Sequence, residues 1–388
     1  MMKTKTLDAQ YIAHTYARFP IEIVGGRGAT VVDDTGKEYI DLGTGIAVNV
    51  FGMCDGPWIA AVEEQLHKFQ HTSNLYYSAP CAKLAQMLCE RTGMKRVFFG
   101  NSGAEANECA IKAARKYAME HKGPEYSTII TLENSFHGRT LTTLAATGQE
   151  HYHELYQPLT PGFVHAKAND LDSVRDLISK YKVAGILIEA VQGEGGVVPL
   201  NGDFATGLAE LCEKEDILLM CDEVQIGNGR SGALYGYMKL GISPDVVTTA
   251  KAIGGGLPLG ACMLGEKVQD VFAPGDHGST FGGNPLACAG AISILSRIDD
   301  QLLAGVEAKS KYIFDTLGAS EGVEAVSGMG LMIGIKTVKP AGKIVEYCRD
   351  HGVLVLTAKD KVRLLPPLNI PAEQLETAVR VIQDACKA

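Results

Sequence analysis

From about residue 95 to residue 265 the chain repeats one pattern: a short, nearly continuous apolar run, a polar or glycine-bearing turn, then a stretch whose apolar residues return at helical spacing. The runs are RVFFG (96–100), STIITL (127–132), AGILIEA (184–190), ILLMCDE (217–223), DVVTTA (245–250) and ACMLG (261–265). Strands apolar on both faces and separated by helices predict a largely parallel sheet covered on both sides, which is α/β architecture. Between Asn101 and His121, residues Ala106, Cys109, Ala110, Ala113, Ala114 and Tyr117 fall at i, i+3, i+4 spacing, and Asn101 and Ser102 offer capping oxygens at the start. NSGA therefore marks a strand-to-helix turn.

The ends read differently. Residues 18–50 carry short strand-like pieces with glycine turns (GRGATVVDDTGKEYIDL), and the C-terminal part alternates strands (EAVSG, LMIGIKTV, VLVLTA, VRLLPPL) with helices near 340–350 and 372–386. The expectation is a large α/β domain over 50–290 and a smaller α+β domain built from both ends, 1–49 and 291–388. No internal repeat, linker or low-complexity tract interrupts the chain.

At 388 residues, 46% hydrophobic and 21% charged, the chain has the composition of a globular protein with room for a large core. No run approaches the ~18 apolar residues of a membrane span. The start, MMKTKTLDAQYIAHTYARF, lacks the apolar stretch of a signal peptide, so a cytoplasmic location and no membrane partner are expected. The formal charge of −9 and pI near 5.6 argue against nucleic acid as a partner, which calls for clustered Lys and Arg. The ten cysteines include no C-x-x-C pair and read as reduced core residues; His151 and His153 read as part of a polar loop, so no metal is expected.

The chemistry begins at TTAKAIGGGLPLG (248–260), where Lys251 stands between an apolar run and three glycines. A lone lysine at a strand end usually snorkels to water, yet one held desolvated is an amine available for covalent chemistry with a carbonyl. Ligands of open α/β sheets sit beyond the carboxyl ends of strands, and Glu189, Asp222, Glu223 and Lys251 all occupy such ends. Singly, Asp222 would be a cap or turn former. Pyridoxal phosphate explains Asp222 and Lys251 together: its aldehyde joins a lysine and its pyridine nitrogen needs a carboxylate to stay protonated. The Ser102-Gly103-Ala104 turn offers N–H groups and a helix dipole to the phosphate. Phe136 and His137 can lay an aromatic face on the ring, Arg139 can grip a substrate carboxylate and Gln225 can bond the ring hydroxyl. Read alone, Phe136 would be core and Arg139 surface.

Six long motifs carry a resemblance. NSGAEANECAIKAAR (101–115), SFHGRT (135–140), IEAVQGEGG (188–196), DEVQIGNGRSG (222–232), TTAKAIGGGLPLG and HGSTFGGNPLACA (277–289) together resemble the class III pyridoxal-phosphate aminotransferases, nearly end to end and in family order. The resemblance implies the aspartate-aminotransferase-like fold (fold type I) and a homodimer with active sites shared at the interface. Position by position it makes Lys251 the Schiff-base lysine, Asp222 the ring-nitrogen partner, Gly103 and Ala104 the phosphate turn, Phe136 a stacking residue and Val224 and Gln225 further ring contacts. It makes Thr280 a phosphate ligand reaching in from the second subunit, and puts Arg139, Ser279 and Tyr16 at substrate positions. Arg363 matches the arginine that receives the α-carboxylate of 2-oxoglutarate, with Glu194 neutralising it when the other substrate binds.

Within the class, Tyr16, EYIDLGTGIAVNVFG (38–52) and VRLLPPL (362–368) match the layout of the branch that moves an amino group from N-acetylornithine to 2-oxoglutarate, giving glutamate, in arginine biosynthesis. Ornithine, 4-aminobutyrate, succinylornithine or succinyl-diaminopimelate would use the same chemistry, and a glutamate-1-semialdehyde-type aminomutase would dispense with the keto acid. A non-catalytic cofactor binder predicts loss of Lys251 or Asp222, and both are present. The chain departs from the family where relatives read G-H-x-H-P: it has Gly52-Met53-Cys54-Asp55-Gly56-Pro57-Trp58, and Ala190 stands where a proline is usual. These departures touch local packing and the substrate entrance.

Overall fold

Three short strands near the amino terminus form an antiparallel meander, β1 (Ile23–Arg27), β2 (Thr30–Asp33) and β3 (Glu38–Asp41). Its first turn is the two residues Gly28 and Ala29, with Gly28 in the left-handed region, as a tight hairpin requires. The computed structural model describes residues 4–387. Each of the six apolar runs of the middle region becomes a strand, and three further strands form between them: β4 (Arg96–Gly100), β5 (Thr128–Leu132), then β6 (Phe163–Ala166), β7 (Val183–Ile188), the short hairpin β8 (Val191–Gln192) and β9 (Val198–Pro199), β10 (Leu218–Asp222), β11 (Val246–Thr249) and β12 (Gly260–Leu264). The central sheet has the order β4-β12-β11-β10-β7-β5-β6. Strand β6 was not among the predicted runs; it is a half-buried edge strand, FVHA, whose polar histidine breaks the apolar signal.

The sheet is parallel except for β12, which runs antiparallel to both neighbours. The cause is the connection. Residues 250–259 between β11 and β12 hold only a single 3-10 turn, too little chain for the crossover that a parallel return needs. Both faces are covered, as the runs predicted. On one side Leu218 and Met220 pack with Cys109, Ala110 and Ala114 of the helix Gly103–His121; on the other, Leu219 and Cys221 join the main core.

The C-terminal strands β13 (Val323–Met329), β14 (Met332–Thr337), β15 (Val353–Leu354), β16 (Leu356–Ala358) and β17 (Lys361–Leu364) follow the helices Pro285–Leu295 and Asp300–Gly318. The run VLVLTA, expected as one strand, is split at buried Val355. Its first half pairs in parallel with β3 and completes the N-terminal sheet, and its second half joins β13-β14-β17-β16. The helices Ala341–Asp350 and Ala372–Lys387 lie where the spacing put them. Among the described residues no helix is long and apolar enough to cross a membrane.

Candidate active site

Strands β10 and β11 are parallel neighbours in which Asp222 is level with Thr248, so the end of β10 and the turn that follows β11 open on the same edge of the sheet. Strand β4 points the same way, because it and β11 are each antiparallel to the intervening β12. The turn after β4 therefore starts the helix Gly103–His121 at that edge. The result is a cavity of about 450 Å3 lined by Asn101, Ser102, Gly103, Ala104, Phe136, His137, Arg139, Glu189, Asp222, Val224, Gln225 and Lys251.

Asp222 is 4% exposed and fully engaged. Its Oδ2 accepts from Asn107 Nδ2 at 2.7 Å and from His137 Nδ1 at 2.8 Å, and its Oδ1 accepts from the Val224 N–H at 3.0 Å. Asn107 is itself fixed, donating also to the His137 carbonyl and accepting from the Thr248 hydroxyl. A buried carboxylate held by that many donors keeps its direction. Donation to Asp222 puts the His137 proton on Nδ1, and its buried Nε2 has no partner.

Lys251 adopts a left-handed backbone, φ 50°, which for a residue with a side chain costs about 1–2 kcal/mol. Desolvation draws its ammonium pKa below the ordinary value, and the attraction of Glu194 opposes that. Glu189 closes the cavity floor, accepting from the N–H groups of Phe136 at 2.9 Å and Gly193 at 3.2 Å, and burial pushes its carboxyl up to about 7. Glu223, the fourth strand-end group, does not line the cavity; it accepts from the N–H groups of Gly236 and Tyr237, and burial pushes it up to about 8.

Arg363, on β17 and 3% exposed, brings the small C-terminal sheet to the site. Its Nη1 donates to Glu194 Oε1 at 2.6 Å and to Gln225 Oε1 at 3.0 Å, while Gln225 Nε2 donates to the same Glu194 oxygen at 3.2 Å. Burial alone would raise the Glu194 carboxyl; the guanidinium overcomes it and holds the group below its usual value. Arg139 reaches the cavity with its guanidinium 4.3 Å from the ring centroid of Tyr152 and 5.5 Å from that of Phe136.

Three expected residues are not at Lys251 in this single chain. Ser279 stands one residue removed, its hydroxyl 3.1 Å from Asn101 Nδ2. Thr280 is exposed and does not line the cavity. Tyr16 is 74% exposed and lines a separate, larger and mostly apolar cavity of about 590 Å3 with Arg18, Phe19, Gly43, Ile46 and Arg349. Among the described residues no three His, Cys, Asp or Glu side chains group as metal ligands. The ten cysteines are free and seven are buried, but Cys54 is exposed.

The family profile for class-III aminotransferases matches residues 11–386. The chain belongs to the class-III aminotransferases. It is 48% identical over 380 residues to the acetylornithine aminotransferase of Haemophilus ducreyi, covering 97% of each chain, and 41% identical to that of Clostridium acetobutylicum, covering 98% of this chain and all of the relative. Among solved structures, the ornithine aminotransferase of Toxoplasma gondii superposes with a TM-score of 0.94 at 31% identity, covering 99% of this chain and 94% of that one. The N-acetylornithine aminotransferase of Stenotrophomonas maltophilia superposes with a TM-score of 0.85 at 36% identity, covering 98% and 97%.

The aminotransferase is thus a pyridoxal-phosphate enzyme with the fold of that class, and its cavity fits the cofactor. At the helix start, a Cβ on Gly103 would lie 2.8 Å from Val224 Cγ1, so only glycine leaves this turn open to a phosphate. Asp222, buried and satisfied, offers the anion a protonated ring nitrogen requires. Two residues of the aminotransferase site went unassigned in the sequence. Asn107 had a signal, being a polar residue on the apolar stripe three positions before Ala110. Glu189 had one too, as a strand-end carboxylate, but its bonds to the loop that carries Phe136 are tertiary and leave no local mark.

Proposed function

We propose that this aminotransferase moves the terminal amino group of N-acetylornithine to 2-oxoglutarate, giving N-acetylglutamate semialdehyde and glutamate, as a step of arginine biosynthesis. The observation that carries this reading is the Arg363–Glu194–Gln225 cluster beside Lys251, with Arg363 and Gln225 buried and Glu194 half-buried, supported by the 41–48% identity to acetylornithine aminotransferases. A donor that reacts at its far amine and a glutamate that reacts at its α-carbon need different numbers of carboxylate sites in one cavity. An Arg139 that is always available and an Arg363 masked or unmasked by Glu194 present one or two.

When bound, pyridoxal phosphate supplies the carbonyl that takes the amino group and the cationic ring that spreads the charge left by a departing C–H proton. In this reading Lys251 carries the cofactor and then, as a neutral amine, removes that proton from the substrate carbon and returns it on the other side of the exchange. Asp222 would keep the proton on the ring nitrogen, and its bonds to Asn107 and His137 hold the carboxylate in place for that role. Phe136 and His137 would offer the ring an aromatic face, Val224 and Gln225 would be further ring contacts, and Ser102, Gly103 and Ala104 would hold the phosphate. Ser279 would bind substrate and Tyr16 would line its acyl end.

The exposed apolar stretch Leu75–Tyr77 and exposed Phe281 support a homodimer; in the same reading Thr280 serves the other copy's phosphate and the enzyme is cytoplasmic. The division into a cofactor-binding unit over 50–290 and a smaller unit from both ends belongs to the same reading.

The test is the visible absorbance of the purified protein, reconstituted with pyridoxal phosphate and given N-acetylornithine, ornithine, 4-aminobutyrate, succinylornithine or glutamate without a keto acid. The band of the lysine-linked cofactor should collapse fastest with N-acetylornithine. Faster collapse with another amine moves the substrate, and no band at all sinks the assignment of Lys251.

A further inference from the structure

From the departure at Gly52–Trp58, the Trp58 side chain reaches the glycine turn that follows Lys251. Asp55 caps the helix Gly56–Leu66 by accepting from the Trp58 N–H at 3.2 Å, and Pro57 sits in the first turn. Asp55 is held in turn by both terminal nitrogens of Arg297, at 3.0 and 2.5 Å, and the Arg297 guanidinium lies 4.0 Å from the Phe51 ring centroid. This fixes the direction of the Trp58 side chain, whose indole enters the gap between the helix Pro285–Leu295 and the glycine run after Lys251. Both walls of the gap are stripped of side chains there. A Cβ on Gly290 would stand 2.6 Å from the indole Nε1, and one on Gly255 2.8 Å from it.

The indole N–H donates to the Gly254 carbonyl at 3.2 Å. That residue closes the turn that Lys251 opens: the N–H of Gly254 bonds the Lys251 carbonyl at 3.0 Å and that of Gly255 bonds it at 3.3 Å. Lys251 itself holds a left-handed φ of 50°, a conformation kept only where its surroundings impose it. Gly256, two residues on from the bonded carbonyl, lines the Lys251 cavity on one side and, on the other, a cavity of about 270 Å3 walled by Asn49, Met53, Asp55 and Trp58.

We propose that Trp58 is a positioning residue: by pinning the Gly254 carbonyl it holds the turn that sets where the Lys251 amine stands relative to Asp222 and Glu194. Trp58 touches no reacting atom in this role. The inference rests on Lys251 being the cofactor-bearing lysine.

The decisive variant is Trp58→Phe, which keeps most of the ring and loses only the donor. Three readouts on the reconstituted enzyme separate positioning from space filling: the pH midpoint of the lysine-linked visible band, the rate at which apoprotein captures pyridoxal phosphate, and kcat against KM. In W58F the midpoint should move by about half a pH unit. Capture and kcat should each fall about fivefold, the worth of one hydrogen bond, with KM for the donor within about twofold of wild type.

Gly290→Ala, which pushes the indole off its partner without touching the donor, should change all three in the same direction and serves if W58F does not fold. If either variant is folded and loses thermal stability while its midpoint, capture rate and kcat match wild type, the indole only fills space and the proposal is wrong. Wild-type protein that shows no visible band would instead overturn the role of Lys251.

Discussion

A lysine amine at the end of a buried strand has to be neutral when it acts, and the surroundings of Lys251 supply that: desolvation lowers its pKa while Glu194, already engaged by Arg363, opposes only in part. Lys251→Ala should leave a folded protein with no lysine-linked absorption and a kcat lower by about 10³-fold or more, from loss of the positioned base and of the covalent attachment. Stopped-flow absorbance checks both. Glu194→Ala removes the group that masks Arg363, so the ratio of kcat/KM for glutamate to that for N-acetylornithine should rise about tenfold, the scale of one charge-assisted bond. An unchanged ratio in half-reaction kinetics would show that Arg363 is not switched.

Glu223, which does not line the cavity, gives a stability test. Its folded pKa is raised from 4.5 to about 8 because its carboxyl is buried, so from pH 4.5 to 8 the folded state binds a proton that the unfolded state has lost. Its contribution is full below pH 4.5 and disappears as pH rises through about 8. The fall in melting temperature between pH 5 and pH 8 should accordingly be larger for wild type than for Glu223→Gln, by differential scanning fluorimetry.

At the scale of elements, the site is a meeting of strand ends and one helix start. Gly103→Ala places a methyl within 2.8 Å of Val224 at that helix start and should weaken cofactor affinity about tenfold or more with little loss of helix, since alanine favours helix. Equilibrium dialysis of pyridoxal phosphate against the apoprotein measures it. Much of this level was legible in the sequence. The apolar runs gave the strands, the alanine stripe gave the helix Gly103–His121, and the strand-end positions of Asp222 and Lys251 gave their common edge.

What was not legible has physical causes. The direction of β12 depends on the shortness of residues 250–259, and the split of VLVLTA depends on two sheets competing for one run. Asn107 and Glu189 show their use only through partners distant in sequence, His137 and Phe136 among them. Tyr16 and Thr280 lie away from Lys251 in one chain, and their proposed roles rest on family likeness, not on local pattern.

At the scale of the whole molecule, a net charge of −9 keeps the surface soluble while Leu75, Tyr76, Tyr77 and Phe281 stay exposed, an apolar group that favours self-association. Sedimentation should find a species of twice the 41.4 kDa chain mass. Tyr77→Glu, a charge on a fully exposed ring, should shift it toward monomer and lower specific activity about tenfold at dilute protein, since an interface tolerates an unpaired charge poorly. Monomeric wild-type protein with full activity would remove Thr280 from the site.

The pairing of β15 with β3 also sets a clock on biogenesis. The N–H groups of Ile40 and Leu42 bond the carbonyls of Gly352 and Leu354, so the amino-terminal meander is finished only by chain made some 300 residues later. At translation speeds of about 5–20 residues per second, β3 spends roughly 15–60 s with a bare edge after it emerges from the ribosome. An unpaired edge is a template for other strands, and so for that interval the nascent amino terminus is open to mispairing.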